Sequence, residues 1–355
     1  MIGLRRASHG ILLATWLLAP PAAWGDHGEG GTISLEQAPG AGAPGGLAPE
    51  QVPISPELQD FLTASVEELR ASDAALRKQN IYLAVYDLPA SGEPSRAHWN
   101  GDVPVYPASV VKFVYLMAAY AWRDAGRLDF DPAFDRQLHA MIYVSSNRAT
   151  QVVLRRLTDT EAGPQLDAEE YAAFSKRRHR VKHWLEGLGV DDLHTVHPTY
   201  DGGGDLYGRD AQFLEDRSVA GSLPNQKGPF FNRQAMTADD TAQLLALLAT
   251  DRALSPESSA QVRERMRRDV KKQPYLARRI TGGTDEGADL EVFTKTGSWG
   301  PIYADAGIIR HASGHQVVVA VFIEGKPAYR GSFIPKITRR VVRRLMPEAV
   351  AAARD

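Results

Sequence analysis

The chain has 355 residues, no cysteine and a formal net charge of −2 at pH 7. The absence of cysteine excludes disulfides, thiolate catalysis, cysteine-ligated zinc and a lipid on a cysteine behind a leader. The near-neutral balance gives no global case for nucleic-acid or membrane-surface binding, and the length suits one large domain or two interleaved lobes.

Residues 1–25 read as an export signal. Arg5 and Arg6 give a basic start, residues 11–18 are almost wholly apolar, and Ala23-Trp24-Gly25 offers a small-residue cleavage site. The apolar run is too short to span a bilayer, so a soluble periplasmic or secreted protein is expected. Residues 26–54 are rich in Gly, Ala and Pro and read as a flexible linker without packed structure.

Residues 55–78 have helical character, with Pro56 at a first position and Leu58, Phe61, Leu62, Val66 and Leu69 forming an apolar stripe. Strands are predicted over 81–88 and 97–106, with Asn100-Gly101-Asp102 as a hairpin turn. The stretch 106–115, Y-P-A-S-V-V-K-F-V-Y, then starts a buried helix. It places Ser109 in a first turn, where free N–H groups favour developing negative charge, and Lys112 on the same face at i+3. A lysine kept neutral by burial is one way to activate a serine hydroxyl. Taken alone, the pair reads more simply as a helix N-cap with an ordinary surface lysine after it.

A helix over 132–141 leads to Ser145-Ser146-Asn147, whose short polar side chains suit a helix-to-helix corner. Farther along, 291–297 reads E-V-F-T-K-T-G, a strand; strands over 302–309 and 316–323 follow, joined by a Ser313-Gly314 turn as an antiparallel hairpin. Lys295 and Thr296 beside Gly297 supply an ammonium, a hydroxyl and close backbone approach, which together suit a carboxylate.

S-x-x-K, S-x-N and K-T-G in this order resemble the signature of the serine β-lactamases and penicillin-binding proteins, the class A β-lactamases most closely. The segment 141–150 and the run from Thr237 to Leu248 are similar to class A segments as well, and the resemblance covers roughly 81–325. It implies an α+β fold: an antiparallel sheet flanked by N- and C-terminal helices, an all-helical lobe, and the site in the cleft between. The α/β lobe would hold 55–108 and 230–355, the helical lobe 109–229. It also implies roles. Ser109 would be acylated, Lys112 would take its proton, and Ser145 would relay a proton to the leaving nitrogen. Asn147 would hold the substrate amide, Lys295 and Thr296 its carboxylate, with Gly297 and Ser298 lining the strand. The N–H groups of Ser109 and Ser298 would form the oxyanion hole. No metal or cofactor is implied, and the expected partner is a β-lactam or a peptidoglycan-derived peptide met by a monomer.

Three departures stand out. Ser146 replaces the usual aspartate, which is expected to loosen the corner. The insert between Ser109 and Ser145 is short, which would cut back one cleft wall and admit a bulkier substrate. The E-x-x-L-N element, whose glutamate serves deacylation, is missing. In the corresponding region, 187–216, Asp201, Asp205, Asp210, Glu215 and Asp216 are candidate replacements, although a glycine-rich loop is expected to show carboxylates to solvent. The alternatives to β-lactam hydrolysis are a D,D-peptidase-like or esterase-like enzyme with slow deacylation, and a non-catalytic peptidoglycan-binding module.

Other features read blandly. His179, His183, His194 and His197 have zinc-like spacing, yet the surrounding basic run 176–183 reads as a solvated helix face. Gly202-Gly203-Gly204 lacks the lysine of a phosphate loop. The arginine-rich helix over 335–352 is expected to pack on the sheet.

Overall fold

A computed structural model describes residues 47, 51–201, 206–219, 223, 231–285 and 289–352. The expected signal segment, most of the linker, the Gly202-Gly203-Gly204 run and Asp205 lie outside the described residues.

The first helix, α1, spans Pro56–Ser72. Ser55 caps it, its hydroxyl accepting from Leu58 N at 3.2 Å, and Leu58, Leu62, Val66 and Leu69 form its buried stripe. Strands β1 (Asn80–Leu88) and β2 (Ser95–Trp99) follow. β2 ends where Asn100 takes φ +49°, so the strand expected over 97–106 stops at its turn residue. The chain beyond leaves the sheet, and Val105 instead exchanges backbone hydrogen bonds with Met236. The linker's last residues are also packed, contrary to expectation. Val52 and Leu47 are buried, and Arg96 on the open edge of β2 bonds through its backbone to Pro53 and Ser55.

A 3-10 turn over Ala108–Val111 runs into α2 (Lys112–Asp124), followed by α3 (Pro132–Tyr143) and α4 (Asn147–Thr158). Then come α5 (Ala168–Arg178), α6 (Arg180–Glu186), β3 (Leu193–His194), α7 (Gly208–Glu215), β4 (Ala235–Met236), α8 (Ala238–Ala249) and α9 (Pro256–Met266). Strands β5 (Leu290–Trp299), β6 (Ile302–His311) and β7 (Gln316–Glu324) complete the main sheet. The C-terminal segment is broken into α10 (Phe333–Leu345) and α11 (Pro347–Ala352), because a proline cannot continue the hydrogen-bond ladder of the first helix.

The main sheet has the order β2-β1-β7-β6-β5 and is antiparallel throughout, as the sequence predicted for 302–323. β1 lies against β7, so the first and last strands of the sheet pair near its centre. One sheet face carries Leu83, Val85, Val319 and Val321 against α1 and α10. The other carries Ala84, Tyr86, Ala306 and Phe322 against α2, α8 and α9. With both faces covered, these strands need no polar side and read as continuous apolar runs. All twelve residues of α8 are buried, which explains the unbroken leucine and alanine run over 244–249 in its second half.

Candidate active site

Ser109 sits in the 3-10 entry turn, one step before the α-helix in which the sequence placed it. The turn is set by Ala108, held at φ +49°, a left-handed conformation that is costly for a residue with a Cβ. Val110, Val111, Phe113 and Val114 are fully buried and anchor the start of α2, leaving Ser109 half-buried at the surface of the cleft. β5 comes close here because Gly297 has no side chain. A Cβ on it would lie 2.8 Å from Pro107 O and 3.2 Å from Ser109 N.

Lys112 points away from solvent into the corner between α3 and α4. Its ammonium donates to Ser145 O at 2.6 Å, Asn147 Oδ1 at 2.7 Å and Ser145 Oγ at 3.3 Å. No hydrogen bond joins it to Ser109 Oγ, so the expected Ser109–Lys112 contact is not made in this state. Burial pulls the Lys112 pKa down to about 7, with the field of Asp201 acting in the opposite direction. At neutral pH a large share of Lys112 is therefore the free amine.

Ser145 has φ +60° and turns the chain so that its hydroxyl faces both lysines. Lys295 Nζ donates to Ser145 Oγ at 2.9 Å and to Thr296 O at 2.9 Å. Burial, and then the neighbouring Lys112, push its pKa well below the usual lysine value. One hydroxyl thus bridges two buried amines that repel each other's charge, an arrangement that can pass a proton between them. Ser146 does not loosen this corner. Its side chain accepts from Ala149 N at 3.2 Å as the N-cap of α4, the service an aspartate would also give.

Asn147 uses its oxygen on Lys112, while its amide nitrogen donates to Tyr200 O at 3.2 Å and Asp201 Oδ1 at 3.3 Å. Asp201 also lies 3.6 Å from Arg148. Of the other carboxylates singled out in 187–216, Glu215 is exposed at the end of α7, and Asp216 accepts from Tyr171 OH at 2.6 Å. Asp210 is buried between Arg178 and Arg155, so it is not solvent-facing and its charge is matched by arginines. The basic run is likewise not wholly a solvated face: Arg178 is fully buried because Asp210 neutralises it.

The histidines form no metal site; among the described residues no group of three or more His, Asp or Glu side chains could hold an ion. His194 Nε2 lies 2.6 Å from Asn232 Oδ1, and His197 contacts the Asn232 carbonyl. Burial lowers both pKa values, that of His194 to about 4, so the two rings are neutral parts of the packing.

Sequence reasoning missed Arg279. Its guanidinium donates to Ser298 Oγ at 2.7 Å and Ala304 O at 2.6 Å and lies 3.8 Å from the Tyr303 ring centroid. It braces the strand end at Ser298 from beneath. The Arg278-Arg279 pair carries no local sign of this, since only one of the two is buried.

The site is therefore a half-buried serine on a strained turn, a dehydrated amine behind it, a hydroxyl shared by two amines, and a strand edge offering cation, hydroxyl and glycine. Residues 133–345 match the Beta-lactamase enzyme family, a stretch that includes Ser145, Asn147 and Lys295 and begins after Ser109. No curated protein matches the sequence. Among solved structures, a β-lactamase from Sphaerobacter thermophilus DSM 20745 is 21% identical, with a TM-score of 0.55 over 81% of this chain and 97% of that one. PBP-A is 20% identical, with a TM-score of 0.54 over 83% and 98%. The TLA-1 extended-spectrum β-lactamase is 17% identical, with a TM-score of 0.56 over 80% and 97%. These likenesses establish the α+β fold expected from the sequence, and because the matched stretch takes in more than half of its length, the chain belongs to the Beta-lactamase enzyme family.

Proposed function

We propose that the protein is an exported serine hydrolase that opens β-lactam amides through an acyl-enzyme on Ser109. The observation that carries this reading is the Ser145 hydroxyl held between Lys112 and Lys295, 3.3 Å and 2.9 Å from their nitrogens, beside the Ser109 turn. A binding protein has no use for two amines stripped of water around one hydroxyl, whereas a proton relay requires such a set.

The chemistry is set by the groups themselves. Neutral Lys112 takes the Ser109 proton as Oγ bonds to the lactam carbonyl carbon. The developing oxyanion lies at the N–H groups of Ser109 and Ser298, each such donor being worth a few kcal/mol. The C–N bond breaks, and the nitrogen receives a proton through Ser145. Water then cleaves the ester, giving a carboxylic acid and the original serine hydroxyl. Among the described residues Asp201 is the loop carboxylate hydrogen-bonded to a residue of the site, and we assign it the activation of that water.

A second reading has its own support. Asn147 is engaged by Tyr200 and Asp201, and the E-x-x-L-N element is missing; both favour slow release of the acyl group, as in a D,D-peptidase inhibited by penicillins. Intact-mass spectrometry with benzylpenicillin over time, on wild type and Ser109→Ala, separates the two. Fast lactam loss that vanishes in the variant supports hydrolysis. A persistent adduct dependent on Ser109 supports the peptidase-like enzyme. No adduct and no turnover would sink both.

A further inference from the structure

Trp299 stands one residue beyond Ser298 with 57% of its surface exposed. Its ring meets Tyr106, three residues before Ser109, edge to face at 5.5 Å between centroids. The Arg233 guanidinium lies 4.9 Å from the Tyr106 ring centroid and 5.6 Å from that of Trp299. Val144, next to Ser145, is also exposed. Single apolar side chains in water need no explanation, but large ones gathered at the rim of a polar site mark a surface that meets a ligand.

The parity of β5 orders this surface. Alternate side chains of a strand share a face, so Lys295, Gly297 and Trp299 project the same way. Their contacts agree: Lys295 reaches Ser145, Gly297 abuts the Ser109 turn, and Trp299 packs on Tyr106. The face reads, in order, cation, glycine against the turn that carries Ser109, aromatic ring. Four residue steps separate its ends, about 13 Å at roughly 3.3 Å per step. A substrate whose anion lies by Lys295 and whose carbonyl faces Ser109 must carry its remaining part toward Trp299.

We propose that Trp299, Tyr106 and Arg233 form a specificity platform for a planar aromatic group on the acyl side of the substrate, across the reacting carbonyl from its anionic group. The proposal rests on the acyl-hydrolase reading above. Arg233 packs against both rings and fixes their angle before substrate arrives, so little ordering remains to be done on binding. An incoming aromatic group covers the open face of Trp299.

The test compares acylation rates for benzylpenicillin, which carries a phenylacetyl side chain, and 6-aminopenicillanic acid, which has the same ring system and carboxylate without it. The expected result is a ratio favouring benzylpenicillin that falls about tenfold in Trp299→Ala and is largely kept in Trp299→Phe. A ratio unchanged in Trp299→Ala, with acylation intact, overturns the platform alone. Absence of any adduct with either probe in the wild type overturns the hydrolase reading and the platform with it. Because the readout is a ratio, a partly unfolded variant does not imitate the expected result.

Discussion

Lys112 and Lys295 are as deeply buried as Arg178, at 0%, 1% and 0% exposure, yet the three cations are treated in opposite ways. Arg178 meets Asp210, which also takes Arg155 at 3.1 Å, and donates to Thr160 Oγ1 at 2.9 Å. The two lysines have hydrogen bonds only to neutral oxygens and stand close enough to raise each other's cost. A buried charge that is matched holds the fold together, whereas one left unmatched sheds its proton and becomes a reactant.

The largest effect that would break this contrast is loss of the proposed base. Lys112→Met should cut acylation about 10²–10⁴-fold while leaving the melting temperature equal to or above that of the wild type. The sign with pH is fixed by the lowered pKa. The folded protein binds fewer protons than the unfolded chain between about pH 7 and the ordinary lysine value, so the cost of burial is full below 7 and fades as pH rises. The variant's stability gain should therefore be greatest near pH 6 and shrink toward pH 10, while wild-type acylation rises through about pH 7. A thermal melt series and a pH–rate profile check both; a variant less stable than wild type at pH 6 would contradict the unmatched-charge account.

Asp210→Ala tests the opposite region. It strands Arg178 without a counter-charge, and a loss of about 3–5 kcal/mol in urea unfolding is expected, with the acylation rate of the folded fraction retained. A loss under about 1 kcal/mol would show that Arg178 finds water or another acceptor.

The smallest effect lies between the two regions. Asp201→Asn removes a field that raises the Lys112 pKa, so the midpoint of the acylation profile should move slightly to lower pH. The same variant should lengthen the life of the benzylpenicillin adduct if Asp201 activates the deacylating water. An unchanged adduct lifetime would remove Asp201 from that role while leaving the lysines' chemistry intact.

How much of this was legible depends on range. The three short motifs could be read because each is local: a serine and lysine three apart, a polar corner, a strand ending in glycine. The antiparallel hairpin of β6 and β7 was legible for the same reason, through its Ser313-Gly314 turn and apolar runs. The strand expected to continue to Tyr106 failed because its turn residues end the pairing, and Val105 finds Met236 far away in sequence. Arg178 looked like surface since its partner is 32 residues distant on another helix. Arg279, Asp201 and the Tyr106–Trp299 contact share this character: side chains whose meaning is made by where a remote segment puts them. Ser146 failed differently. Aspartate and serine give the same cap, so a departure from the family's letter left the local physics unchanged.

β5 is the last strand of its sheet, and such margins ordinarily invite other chains to add themselves. Its first half is sheltered, since Arg267 bridges to Phe293 and Arg268 N bonds to Val292 O at 2.8 Å. Among the described residues no further backbone pairs along the outer side of the stretch from Lys295 to Trp299, beside the Ser109 turn. The proposed reactive centre therefore lies on a length of that margin for which the described residues supply no backbone partner. Five residues with a glycine in the middle and an ammonium at one end make a poor template for aggregation, so the stretch that would admit a substrate can stay uncovered because it is too short and too polar to recruit a neighbour.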